Sequence, residues 1–266
     1  MLPKLVGVVN LTPDSFSDGG QFFDTESACQ HAEKLLDDGA DIVEFGAESS
    51  RPGANAISLA EETKRLIPVL NKFGRKRGLS NVCVDTRKPE LMINASQMGV
   101  GYINNIDGLA PPDVLQQISK IESVKYIAMH KHGSPEDMQK FPMDSPEDVE
   151  QVIMEMRSYI EKLREAGFSE DRVFVDPGVG FGKTDLVNLR LLKRISELST
   201  QMPLMVGVSR KSMIGRLCEI ESSSDRDPAS KAFEINLLMS GVQLVRTHVI
   251  GELPLARKLI FGDTSA

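Results

Sequence analysis

The chain has 266 residues, 41% hydrophobic and 26% charged, with a formal net charge of -7 and a pI near 5.3. That length allows roughly three quarters of the unfolded surface to be buried, and the acidic balance supplies no cation surplus to grip a nucleic-acid backbone. Three isolated cysteines, Cys29, Cys83 and Cys218, lack CxxC spacing and argue against a disulfide framework or a zinc site.

Taken in chain order, eight apolar runs read as strands, each ending in polar or glycine-rich residues. They are expected at 4–9, 41–45, 82–84, 101–103, 125–128, 172–175, 204–208 and 243–245. The runs end in Asn10-Leu-Thr-Pro-Asp14, Gly46-Ala-Glu-Ser-Ser-Arg-Pro-Gly53, Asp85-Thr86, Asn104-Asn105, Met129-His130, Asp176-Pro-Gly-Val-Gly-Phe-Gly182, Ser209-Arg-Lys211 and Arg246-Thr-His248. Helical spacing is expected over 25–38, 59–73, 89–97, 149–166, 186–198 and 231–239, with a weaker signal over 111–118 and a last helix after Leu253. Gly39 suits a left-handed helix C-terminus, and Ser145-Pro146 suits a helix start after a loop over 132–146. Alternating strands and helices without linker or repeat predict an α/β chain folded as one (β/α)8 TIM barrel over 1–266. The first strand begins within three residues without a charged-then-apolar leader, and no apolar run approaches the ~18 residues of a membrane span, so a cytoplasmic protein without membrane or nucleic-acid partners is expected.

Polar residues at the carboxyl ends of barrel strands face one mouth. Asp85, Asn104, Asp176 and Lys211 come from four such ends and suit a small planar heterocycle with a guanine-like edge: carboxylates and an amide oxygen accept its N–H groups, and a lysine reaches its carbonyl. Each taken alone also fits a helix cap or turn; recurrence at strand ends of one polarity favours a site. Arg246 and His248, at the eighth strand end where barrels often hold phosphate, suit an anion, and Asn10 beside them offers a carbonyl oxygen to Mg²⁺. Met129 can stack on a flat ring, whereas His130 reads as an anchor of its loop. The loops over 14–20 and 49–54 suit lids. The glycine-rich run 178–182 lacks the GxxxxGK[ST] spacing of a nucleotide cradle, and Phe181 within it reads as an exposed ring for an aromatic substrate.

These residues together resemble bacterial dihydropteroate synthase, the folate-pathway enzyme inhibited by sulfonamides. The matches span nearly the whole chain in order: Gly7-Val-Val-Asn-Leu-Thr-Pro-Asp-Ser-Phe-Ser-Asp-Gly-Gly20, Glu48-Ser-Ser-Arg-Pro-Gly53, Val84-Asp-Thr86, Ile103-Asn104, Met129-His-Lys-His-Gly-Ser-Pro135, Asp176-Pro-Gly-Val-Gly-Phe-Gly-Lys183, Gly207-Val-Ser-Arg-Lys-Ser-Met-Ile-Gly215 and Arg246-Thr-His248. The resemblance implies a transferase joining 7,8-dihydropterin-6-ylmethyl diphosphate to p-aminobenzoate with loss of diphosphate. It implies that Asp85, Asn104, Met129, Asp176 and Lys211 hold the pterin, and that Asn10, Arg246 and His248 hold the diphosphate with Mg²⁺, Asn10 as metal ligand. Ser50, Arg51, Pro52, Phe181, Ser209 and Lys211 would surround p-aminobenzoate, Asp85, Lys211, Arg246 and His248 would carry catalysis, and a homodimer is implied.

The chain departs from that family's pattern at Glu44, where an aspartate is common, at Ala47 and Ser50, and at Asn105 and Val249, where acidic residues are common. Loss of the last two charges leaves a noncatalytic pterin-binding barrel as one alternative. A folate-dependent methyltransferase of related barrel type is the other, and it has no use for Arg246, His248 or the Ser-Ser-Arg-Pro loop.

Overall fold

The computed structural model describes residues 2–12, 25–49, 54–133, 137–138 and 140–262. Eight strands, β1 (Lys4–Asn10), β2 (Ile42–Gly46), β3 (Val82–Asp85), β4 (Tyr102–Asn105), β5 (Lys125–Met129), β6 (Val173–Asp176), β7 (Met205–Gly207) and β8 (Leu244–Thr247), pair in parallel in the order β6-β5-β4-β3-β2-β1-β8-β7. The ends of this sheet meet where the Val175 amide donates to Pro203 at 3.0 Å and Val175 bridges Leu204, which closes the barrel. Helices α1 (Thr25–Asp37), α2 (Leu59–Arg77), α3 (Pro89–Met98), α4 (Pro112–Ser119), α5 (Pro146–Glu165), α6 (Asp185–Lys193), α7 (Ile195–Gln201), α8 (Ser212–Cys218), α9 (Asp227–Met239) and α10 (Leu253–Phe261) lie between and after the strands.

The expected single (β/α)8 barrel is therefore the observed fold, with three differences in detail. Strands β1 to β6 and β8 each run one or two residues beyond the expected end, so Asn10, Asp85, Asn104, Asp176 and Arg246 are strand residues and not loop residues. The segment 186–198 is two helices that meet at Arg194, whose φ of -95° and ψ of 4° break the helical path. Helix α8, which directly follows the Ser-Arg-Lys motif, had no expectation. The capping predicted at Ser145 is present: its hydroxyl accepts from the Asp148 amide while the Asp148 carboxylate takes the Ser145 amide, satisfying two orphan donors reciprocally.

Strand side chains alternate in and out with period two. One inward layer takes a residue from every strand: Val6, Ile42, Cys83, Tyr102, Ile127, Phe174, Met205 and Leu244 pack together as the barrel's inner core. The outward-facing residues join the helices in a larger apolar shell that includes Leu5, Val43, Val84, Ile103, Tyr126 and Val175. Burial of this kind contributes about 25 cal/mol per Å² of apolar surface, so the inner plug and outer shell fix the strand ends in space. Two residues beyond the inner layer, on the same inward face, stand Val8, Glu44, Asp85, Asn104, Met129, Asp176, Gly207 and Arg246. The candidate site is thus the next storey of the barrel.

Candidate active site at the carboxyl-terminal mouth

Parallel register sets the neighbours in this storey, with Asp85 opposite Asn104 and Met129 opposite Asp176. The Asn104 amide nitrogen donates to Asp85 at 3.2 Å and lies 3.5 Å from Glu44, and the Arg246 Nε is 3.2 Å from the other Glu44 oxygen. Asn104 Oδ1 is buried with no hydrogen-bond partner among the described residues. A buried amide oxygen left unmatched costs free energy that a ligand N–H would recover. The Asp176 carboxylate accepts from the Gly178 amide at 2.7 Å.

Burial dominates the electrostatics. It raises the Glu44 and Asp176 carboxyls, with Arg246 opposing in both cases, and together with Glu44 it pushes Asp85 up to about 8. Burial and then Arg246 bring the Lys211 ammonium down to about 8. Desolvation works against the Arg246 charge, but Glu44, Asp85 and Asp176 outweigh it and hold the guanidinium protonated beyond its ordinary range. Three carboxyls around one arginine and one lysine make a polar floor whose protonation a ligand with N–H groups can shift.

The loop after β6 is drawn onto this floor. Lys183, itself buried, donates to the carbonyls of Gly178 at 3.1 Å and Phe181 at 3.0 Å and approaches that of His130 at 3.4 Å. Asn188 accepts from Gly180 and donates to Lys183 O. Glycine is required at 178 and 182: both have positive φ, and a Cβ would stand 1.9 Å from His130 O and 2.0 Å from His132 O. This tethering corrects the expectation for Phe181. Its ring is not exposed but buried against Ile106, Met129 and Met138, with the Lys211 ammonium 4.2 Å from its centroid. His130 is held by its backbone amide rather than by a hydrogen bond from its ring to any described residue. Its amide donates to Asp176 O at 2.8 Å, its ring is buried 3.0 Å from Glu155, and burial followed by Lys183 pushes it down to about 2, so it is neutral.

The rim above carries the remaining groups. Asn10 ends β1 opposite Gly46, partly exposed. Ser209 accepts from the His248 amide at 3.2 Å and lies 3.1 Å from its Nδ1, which joins the β7 and β8 ends. Glu48 fixes the start of the loop after β2, pairing with Arg87 at 2.9 Å, approaching Lys88 at 3.3 Å and accepting the Ile57 amide at 2.9 Å. Ser50, Arg51 and Pro52, and the proposed first lid, lie outside the described residues.

Glu44, which the sequence marks as a departure from the family pattern but not as a site residue, belongs to this storey as well. Its signal was available: a charged residue at the centre of a wholly buried strand, two positions after Ile42 on the inward face. Asn105 and Val249 stand elsewhere than their charge loss suggested. Asn105 faces away from the mouth, donating to the Tyr126 hydroxyl at 3.0 Å and accepting from Asp107 N at 2.9 Å. Val249 engages through its carbonyl, which accepts from Thr247 Oγ1 at 2.9 Å and from Lys231.

Residues 6–248 match the model of a family described as pterin binding enzyme. A dihydropteroate synthase of Escherichia coli is 35% identical over 99% of this chain and 93% of its own length. The Yersinia pestis dihydropteroate synthase, solved in a sulfonamide drug complex, superimposes with a TM-score of 0.87 at 34% identity, over 99% of this chain and 95% of that one. The Xanthomonas albilineans enzyme with 4-aminobenzoic acid gives 0.87 at 35% identity, over 97% and 91%.

Proposed function

Because the chain belongs to the pterin-binding enzymes and, within them, to the dihydropteroate synthases, we propose that its mouth condenses 7,8-dihydropterin-6-ylmethyl diphosphate with p-aminobenzoate to give 7,8-dihydropteroate and diphosphate. The observation that carries the site assignment is the inward storey of Glu44, Asp85, Asn104, Asp176 and Arg246, with its unmatched Asn104 oxygen.

In this reading the pterin lies flat on Met129 with its N–H edge toward Asp85, Asn104 and Asp176 and its carbonyl toward Lys211. Arg246 and His248 take the diphosphate. The bond from the pterin methylene to the diphosphate oxygen breaks, and that oxygen leaves with the electron pair. The amine nitrogen of p-aminobenzoate forms the new bond to the methylene and loses its proton to water or diphosphate. Buried carboxyls beside the ring stabilise the cationic methylene, and the cations at β8 stabilise the leaving group. No protein nucleophile is required. Ser209, Lys211 and Phe181, with the loop at 50–52, border the aryl amine, and sulfonamides compete there.

Mg²⁺ fits the rim chemically. Among the described residues no three His, Cys, Asp or Glu gather into a cage, while Asn10 offers one hard oxygen. Magnesium prefers that situation, keeping waters and binding substrate phosphates. Bound there with Asn10 as ligand, it would neutralise diphosphate charge. A homodimer and a cytoplasmic location complete the proposal. For the first, the surface between α6, α7 and α9 is a candidate contact, a groove of about 570 Å³ in which Leu189, Leu192, Ile195, Ala232 and Phe233 are interleaved with Lys193, Ser196, Asn236 and Ser240. No helix among the described residues is long and apolar enough to cross a membrane.

The noncatalytic alternative rested on Asn105 and Val249, and neither side chain belongs to the inward storey. Mixing the protein with both substrates and Mg²⁺ and resolving the products by mass tests the proposal: 7,8-dihydropteroate is expected, and its absence refutes the reading.

A further inference from the structure

Arg210 sits between Ser209 and Lys211 with φ of 59°, and with Glu219 it is one of the non-glycine residues of left-handed backbone among those described. A residue with a Cβ persists there only when its surroundings determine it. The amide, the carbonyl and two guanidinium nitrogens of Arg210 are tied to the start of α9. Its amide donates to Ser230 Oγ at 3.0 Å, its carbonyl accepts from Arg226 at 3.1 Å, and its guanidinium meets the Asp227 carboxylate in a two-pronged pair at 2.7 and 2.8 Å. Arg226 is itself fixed on Ile220 O at 3.1 Å and packs where a side chain on Gly215 would stand. The flanking residues point the other way: Ser209 to His248, and Lys211 to the face of Phe181.

We propose that the Arg210–Asp227 pair is a positioning device that holds the left-handed turn and so sets Ser209 and Lys211 against the aryl-amine and pterin pockets. The same helix start reaches the β8 end through Lys231, which donates to Thr247 Oγ1 at 3.1 Å and to Val249 O, so α9 braces both walls of the mouth. A bidentate guanidinium–carboxylate pair fixes direction as well as distance, which a lysine could not do. This inference rests on the condensation reading for its kinetic consequence only.

The test uses Asp227→Asn, Arg210→Ala, Arg210→Gly and Arg210→Lys in the full chain. In Asp227→Asn and Arg210→Ala, kcat/KM for p-aminobenzoate is expected to fall roughly 10- to 100-fold, as for an ångström-scale misplacement, and pterin diphosphate affinity, which also depends on Lys211, should weaken with it. Arg210→Gly keeps the left-handed backbone without strain and loses the clamp, so it should be as impaired as Arg210→Ala, whereas Arg210→Lys should recover part of the loss. A wild-type-like Arg210→Gly or Asp227→Asn overturns the proposal. A second readout is independent of turnover: Lys211, which titrates at about 8 when buried among Arg246, Asp176, Asp85 and Glu44, should move toward the ordinary lysine range in Asp227→Asn, as followed by NMR of labelled lysine. An unmoved Lys211 titration overturns the proposal even if the wild-type protein makes no dihydropteroate, a result that would count against the condensation reading separately.

Discussion

Glu44 on β2 and Arg246 on β8 form an ion pair of 3.2 Å across the intervening strand β1, with the glutamate 1% exposed. The carboxylate is held from below by Cys83 at 3.5 Å and lies 3.5 Å from the Asn104 amide. One side chain therefore touches both the group assigned to the diphosphate and the group assigned to the pterin.

Glu44→Gln removes that partner and leaves the Arg246 charge facing Asp85 and Asp176 alone. Breaking a buried pair from one side costs about 3 kcal/mol at the low end, and the low end applies because those two carboxyls remain. Urea denaturation should show a loss of that order with an unchanged slope. A loss below about 1 kcal/mol would mean that the pair is not formed in solution.

The Asp85 contribution to the stability of the ligand-free protein should fall as pH rises from about 4 to about 8, while His130, lowered from 6.5 to about 2, contributes the opposite slope below about 6.5. Asp85 has its carboxyl raised from 3.8 to about 8 by burial and then Glu44, so between those values the folded chain keeps a proton that the unfolded chain has released. Its contribution is complete below the unfolded value and is lost on passing through the folded one, with a slope of up to about 1.4 kcal/mol per pH unit. Lys211, lowered from 10.5 to about 8, has the opposite sign: its cost is full below about 8 and is relieved toward 10.5. The difference in thermal midpoint between the wild type and Asp85→Asn isolates this group: it should shift in favour of Asp85→Asn as pH rises from about 4 to about 8. A difference that does not change with pH would contradict the protonated Asp85.

Asn105→Asp restores the charge common in the resembled family. Because Asn105 bonds Tyr126 and Asp107 N outside the mouth, kcat and the pterin KM should change by less than about twofold, as expected for a group that does not touch the substrate. A tenfold gain in activity would show that the charge acts on the site.

Asn104→Ala and Asp176→Ala each remove a buried partner of the ring. Calorimetry with a pterin should show weakening by about 1 to 3 kcal/mol in each. Unaltered affinity in both would remove the pterin from this pocket.

Much of this site was legible because barrel geometry turns a one-dimensional pattern into a layer. Apolar runs that end in Asp85, Asn104, Asp176 and Arg246 announce strand ends of one polarity. The errors have physical causes. Polar residues at strand ends look like turn formers, so the expected strands stop short, although Asp85 and Arg246 are strand residues whose side chains face inward. Phe181 among glycines reads as exposed because the sequence does not show that Lys183, the last residue of the same motif, folds back and draws the loop down by its carbonyls. Glu44 was visible as a departure but not as a partner, because register across β1 decides which strands face each other. Helix α8 contains Gly215 and is only seven residues long, which hides its periodicity.

The central claim is tested most directly by following diphosphate and 7,8-dihydropteroate together, from the pterin diphosphate and Mg²⁺, with and without p-aminobenzoate. The account predicts one diphosphate for each dihydropteroate, with release far slower when p-aminobenzoate is withheld. Diphosphate released at the same rate in both mixtures, or neither product above the uncatalysed rate, would contradict it.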